Sequence, residues 1–174
     1  NLNVGCPSKA VQKGKFGACL MKEKTLVKDC LNAMASNTNM DVSMKCRIGI
    51  GDKFNYDFFH EFIDETIKSG IKIIYVHARN AILNGLNPKK NRTLPPLNYK
   101  FVTKIKKDYP HIQFILNGGI NNLNDAYQYS KEFDGVMLGR LIKSHPFCLL
   151  NIDKLFFNSV NNDKIYQNII FEYF

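Results

Sequence analysis

Three residues of this chain have types and settings that could do chemistry: Cys6 in Asn3-Val4-Gly5-Cys6-Pro7, Lys45 in Val42-Ser43-Met44-Lys45-Cys46-Arg47, and His77 in Tyr75-Val76-His77-Ala78-Arg79. A buried cysteine is more often inert packing than a reactive group. Here the Gly and Pro on either side argue for a thiol held toward a ligand. Lys45 interrupts an otherwise apolar run, where structure alone does not ask for an ammonium. It could face a ligand anion or the electron-rich edge of a ring. His77 reads equally as a satisfied structural residue or as a donor to a phosphate or substrate carbonyl. Two glycine segments follow, Leu116-Asn117-Gly118-Gly119-Ile120 and Val136-Met137-Leu138-Gly139-Arg140. Each alone could be a tight turn. Together they favour a phosphate cradle, because glycines let backbone N–H groups approach phosphate oxygens closely.

The remaining cysteines, Cys19, Cys30, Cys46 and Cys148, complete an odd set of five with no CxxC or Cys/His spacing. No metal site is expected from such a pattern, and a reducing compartment fits it better than a disulfide framework does.

The candidate residues must be positioned by secondary structure, and the hydropathy pattern supplies it. Apolar, β-rich runs are expected to form strands at Leu2 to Val4, Val42 to Cys46, Ile71 to Val76, Ile112 to Leu116 and Gly135 to Leu138. Helical periodicity fills the intervals at Thr25 to Met34, Tyr56 to Lys68, Tyr99 to Asp108 and Leu123 to Glu132, the last capped by Asn122 or Asn124. The alternation predicts an α/β fold with a parallel sheet. Every candidate residue then falls at the carboxyl end of a strand, the face that carries the active site in a (β/α)8 barrel. Five βα units are present where a full TIM barrel has eight. The chain is therefore expected to be the C-terminal portion of such a barrel over residues 1–150, its N-terminal units lying outside it. Residues 151–174 are expected to be a tail leading into further helices.

The chain has 174 residues, 45% hydrophobic and 22% charged, enough to bury a core. No apolar run approaches the roughly 20 residues of a membrane span. Asn1 to Cys6 has no initiator Met, basic segment or apolar segment, so it does not read as a signal peptide, and the chain is expected to continue upstream. With 24 Lys and Arg against 15 Asp and Glu, the net charge is +9. That excess suits a polyanionic partner. The joint richness in Lys and Asn is equally what codon bias in an AT-rich genome produces, which leaves the four arginines as the more informative cations.

Read in order, these segments resemble the tRNA-dihydrouridine synthase family. The resemblance rests on Asn3-Val4-Gly5-Cys6-Pro7-Ser8, Gly17-Ala18-Cys19-Leu20-Met21, Lys45-Cys46-Arg47-Ile48-Gly49 and Val76-His77-Ala78-Arg79. It continues through Asn91-Arg92 with Pro95-Pro96-Leu97, Asn117-Gly118-Gly119-Ile120 and Asp134-Gly135-Val136-Met137-Leu138-Gly139-Arg140. The loop Leu86 to Arg92 is most similar to the A-type subfamily, which acts on D-loop uridines at positions 20/20a. The resemblance implies an FMN-dependent oxidoreductase, reduced by NADPH, that saturates the C5=C6 bond of a flipped-out uracil in tRNA. It implies Cys6 as the acid that protonates C5. It assigns Lys45, His77, Asn117, Gly118, Gly119, Gly139 and Arg140 to FMN. Asn3, Gly5, Arg79, Lys89 and Arg92 fall to the tRNA substrate, Asn3 near the uracil itself. The 151–174 tail would lead toward a C-terminal helical tRNA-binding domain, most of it outside this chain. A monomer in the cytoplasm is expected, with a mitochondrion or plastid as the alternative.

Two other readings compete. A barrel oxidoreductase acting on a small free pyrimidine would need no tRNA and give Lys89 and Arg92 no role. A non-catalytic RNA-binding remnant would be colourless and indifferent to loss of the Cys6 thiol.

Overall fold

The computed structural model describes residues 1–159. By packing, they fall into two compact units. The first holds Asn1–Gly119 with Tyr129–Met137; the second holds Ile120–Gln128 with, of the residues described, 138–159.

The first unit is built on five parallel strands: β1 (Leu2–Asn3), β2 (Ser43–Arg47), β3 (Ile73–His77), β4 (Gln113–Asn117) and β5 (Gly135–Met137). Their order in the sheet is their order in the chain. Helices run between them: α1 (Lys9–Lys13) and α2 (Lys24–Ser36) before β2, α3 (Tyr56–Ile67) before β3, and α4 (Tyr99–Asp108) before β4. The connection from β4 to β5 contains α5 (Leu123–Ser130), whose residues divide between the two units. This is an α/β fold of consecutive βα units.

Alternation along the strands makes two different faces. Met44, Cys46, Ile74, Val76, Phe114 and Leu116 are fully buried, as are Val27, Leu31, Phe59, Phe62, Ile63, Val102 and Ile105 on the helices. Those residues form the core. Burial pushes the Cys46 thiol up to about 12, which leaves it an inert packing group. The register places the intervening residues in two rows across the other face. One row runs Asn3, Lys45, Tyr75, Ile115; the next runs Arg47, His77, Asn117, Met137. Polar side chains on that face account for the breaks in the apolar runs.

Local signals set the helix starts. Asn55 and Asn98 accept from the backbone N–H groups of Phe58 and Phe101, and Asn122 from that of Asp125. Lys24–Glu61, exposed, and Lys28–Glu65, partly buried, each 2.7 Å, join α2 to α3.

In the second unit, α6 (Arg140–Ser144), a 3-10 turn over Pro146–Asn151 and α7 (Ile152–Phe157) follow one another. The tail expected at 151–174 is thus helical over its first described residues, and residues 160–174 lie outside the described part. No helix among the described residues is long and apolar enough to cross a membrane.

Candidate active site

The site face is organised around Lys45. Its Nζ donates to Asn117 Oδ1 at 3.0 Å, and Asn117 Nδ2 donates to the carbonyl of Met137 at 2.7 Å. An ammonium can only donate, so it fixes which end of the amide it meets, and the other end then finds its own acceptor. Among the described residues Lys45 forms no salt bridge with a carboxylate; its partner is neutral. Burial pulls its pKa below the ordinary lysine value, and the neighbouring Arg47 pulls in the same direction.

His77 lies one strand over, in register with Asn117. The imidazole packs on Gly118: a Cβ there would stand 3.1 Å from His77 Nε2. Gly118 and Gly119 both take positive φ, +107° and +73°. Tyr99 donates to the Gly118 carbonyl at 2.6 Å, holding the turn from the far side.

Cys6 sits half-buried at the end of β1 in a loop with several tethers. The Gly5 N–H donates to Asn3 Oδ1, 3.0 Å, and the Cys6 carbonyl accepts from the Ala18 N–H, 2.9 Å. Gly17, with φ +73°, comes so close that a Cβ would stand 2.6 Å from the Cys6 carbonyl oxygen and 2.3 Å from Val11 Cγ1. Gly17→Ala should therefore lower stability by about 2 kcal/mol or more, a drop of roughly 4–8 °C in Tm on a thermal melt. A variant melting with the wild type would show that the loop can give way.

Arg47, buried at the end of β2, donates to the carbonyls of Gly5, Asn80 and Asn91, each at 3.0 Å. Burial first, and Arg79 beside it, bring its pKa down to about 10. Arg79 is also buried and donates to the carbonyl of Pro95. Asn91, fully buried, closes the turn above it. Its amide accepts from the Ile82 N–H and donates to the Ile82 carbonyl, 2.8 and 2.9 Å. Lys89 and Arg92 stand exposed on that turn. Asn3 is exposed at the β1 end. Gly139 and Arg140 are exposed in the second unit.

The loops that follow β1, β2 and β3 are joined to one another. Gln12 Nε2 donates to the carbonyls of Pro7 and Leu83, and Asn80 Nδ2 to those of Gly51 and Lys53. Residues 4–23, 48–55 and 78–98 hold nine Lys and Arg against two acids, so +7 of the net +9 resides on them. Codon bias enriches lysine but does not sort it to one end of a sheet. That sorting favours the polyanion reading of the charge.

A family model described as dihydrouridine synthase matches residues 1–168. The chain belongs to the dihydrouridine synthase family. It is 46% identical over 158 residues to the tRNA-dihydrouridine(20/20a) synthase of Pasteurella multocida, covering 91% of this chain and 48% of that protein. It is 43% identical over 173 residues to the protein of the same name from Vibrio vulnificus, covering 99% and 53%. With the Escherichia coli O6:H1 protein the identity is 44% over 164 residues, covering 94% and 50%. The chain thus spans about half the length of the curated relatives it matches, in keeping with five βα units as part of a TIM barrel.

The residues of the first unit fit a flavin mononucleotide, which dihydrouridine synthases generally use. A desolvated ammonium without a carboxylate partner among the described residues suits an electron-rich ring edge, and the positive-φ glycine pair leaves its backbone free of side chains of its own, with His77 packed directly on Gly118 and Leu97 on Gly119. Arg47 and Asn91 belong to the quoted motifs, yet sequence reasoning gave them no role. Their partners are backbone groups, which leave no mark in a sequence. The available signal was Arg47 itself, an arginine in an apolar strand of a chain with only four.

Proposed function

We propose that this chain is the cofactor- and base-handling part of an FMN-dependent tRNA-dihydrouridine synthase acting on D-loop uridines at positions 20/20a. The observation that carries the reading is Lys45: a half-buried cation whose partner among the described residues is an amide, on one face with Asn3, His77 and Asn117. The tRNA-dihydrouridine(20/20a) synthase relatives support the substrate.

FMN, reduced by NADPH, would supply a hydride to C6 of the uracil. Lys45, His77, Asn117, Gly118 and Gly119 would hold it, with Gly139 and Arg140 assigned on their sequence motif alone. Cys6 gives its thiol proton to C5, so hydride and proton together saturate the C5=C6 bond, and solvent reprotonates the thiolate. Asn3, Gly5 and Arg79 would place the base, extruded from the tRNA so that both faces of its ring are open. The five free thiols suit a reducing compartment, here the cytoplasm.

The test is an absorbance spectrum of the whole purified protein, followed anaerobically. Flavin bands that bleach with NADPH and recover on adding unmodified tRNA, but not free uridine, support the synthase. Recovery with free uridine would instead favour a small-pyrimidine oxidoreductase, and a colourless protein that takes up no FMN would favour a binding remnant.

Lys89 and Arg92 contact tRNA in this reading. Replacing both with alanine should raise KM for tRNA about tenfold and make the dependence of log KM on log salt shallower by roughly 1.5–2. The rate of NADPH oxidation without tRNA should not change. Lys72, at the opposite end of the sheet before β3, is the control, and its alanine variant should behave as wild type.

A further inference from the structure

Arg47 is 3% exposed, and its three hydrogen bonds all end on backbone carbonyls, one in the loop after β1 and two in the loop after β3. Gly5 directly precedes Cys6. Asn80 begins the loop after β3, and its amide binds Gly51 and Lys53 in the loop after β2. Asn91 directly precedes Arg92. A guanidinium presents its donors in one plane at fixed angles, so three carbonyls held at once are fixed relative to one another. Lysine cannot reproduce this, because its ammonium is a single point on a flexible stem.

The arrangement is costly: a buried cation close to Arg79, with its pKa brought down to about 10 and no acidic partner among the described ion pairs. Loop closure alone could be served by neutral donors, as Gln12 and Asn80 serve it nearby.

We infer that Arg47 is the positioning residue of the site, holding the peptide ahead of Cys6 in register with the turn that carries Lys89 and Arg92. The inference rests on the reading of Cys6 as proton donor and of that turn as a tRNA contact. Cys6 has a second tether, the Ala18 N–H on its carbonyl. Loss of the Arg47 fork therefore lets the thiol shift without freeing the loop. A displacement of about 1 Å is enough to cost a proton transfer a factor of about 100. The exposed side chains of Lys89 and Arg92 tolerate such a shift.

The experiment compares Arg47→Lys and Arg47→Gln with wild type in the whole protein. Four quantities are read: Tm, kcat, KM for tRNA, and the rate at which iodoacetamide alkylates Cys6 relative to Cys148, followed by peptide mass spectrometry. Positioning predicts folded variants whose kcat falls about 10- to 100-fold while KM stays within about threefold, and a Cys6-to-Cys148 ratio changed at least about fivefold. Lysine should recover part of the loss that glutamine shows. A ratio and kcat within about twofold of wild type would overturn the inference. So would failure of both variants to fold, since Arg47 would then hold the domain and not the site. If the wild type itself reduces no tRNA, the functional reading fails, and the alkylation ratio still decides the role of Arg47.

Discussion

Cys6→Ala protein should fold, take up FMN and oxidise NADPH like the wild type, yet reduce tRNA about 10²- to 10⁴-fold more slowly. Each part of that expectation has its own basis. The loop keeps its tethers without the sulfur, because Ala18, Arg47 and the Gly17 contact all engage backbone atoms at Gly5 and Cys6. The residues proposed to hold FMN on β2, β3 and β4 belong to other segments. What alanine removes is the proton that this reading assigns to C5, and a hydride delivered to C6 without that proton would leave an enolate that readily reverts. Anaerobic stopped-flow spectroscopy separates the two half-reactions, reduction by NADPH and reoxidation by tRNA. Reoxidation at the wild-type rate would exclude Cys6 as the acid. Cys19→Ala serves as the matched control: its thiol donates to the Phe16 carbonyl at 3.1 Å, and its loss should leave both half-reactions unchanged.

How much of this was legible in the sequence depends on what hydropathy reports. All five strands and four main helices fall where the pattern expects them, and α4 matches at both ends. The strand limits drift because apolarity reports burial and not pairing. Ile71 and Ile112 are buried but lie ahead of their ladders, whereas Arg47, His77 and Asn117 are polar and paired. The short α1 escaped notice because none of its residues is buried. It is held by the Ser8 cap, with Ser8 Oγ accepting from the Val11 N–H, and by the Gln12 bonds to the Pro7 and Leu83 carbonyls. Among site residues, Lys45 and His77 stood out as polar intrusions in apolar runs. The bonds of Arg47, and the one Arg79 makes to Pro95, did not, since they end on main-chain oxygens. Composition gave a net charge with two explanations, and only the placement of the loops at the carboxyl ends of β1, β2 and β3 separates them.

Lys45→Met should make the protein without cofactor more stable while weakening its hold on FMN. The two effects oppose each other because they have one cause. Burial lowers the pKa of Lys45, so folding disfavours the ammonium relative to the unfolded chain. The cost is complete below the lowered value and fades as pH rises through it, where the folded protein releases the proton. Methionine fills a similar volume and carries no charge, so the gain should be about 1 kcal/mol at pH 7 and shrink toward pH 10. Asn117 loses one donor but keeps its bond to the Met137 carbonyl, and its half-buried amide oxygen can be met by water. FMN binding should fall by about 10- to 100-fold, the loss expected when a desolvated cation is removed from an electron-rich partner. Thermal melts of the cofactor-free proteins across that pH range read the first effect, and titration of FMN fluorescence reads the second. A variant less stable at pH 7 than at pH 10 relative to wild type would contradict the sign worked out here. A variant that gains stability and also keeps FMN would make Lys45 a structural accident, and the site would then have to be argued from His77 and the glycine turn alone.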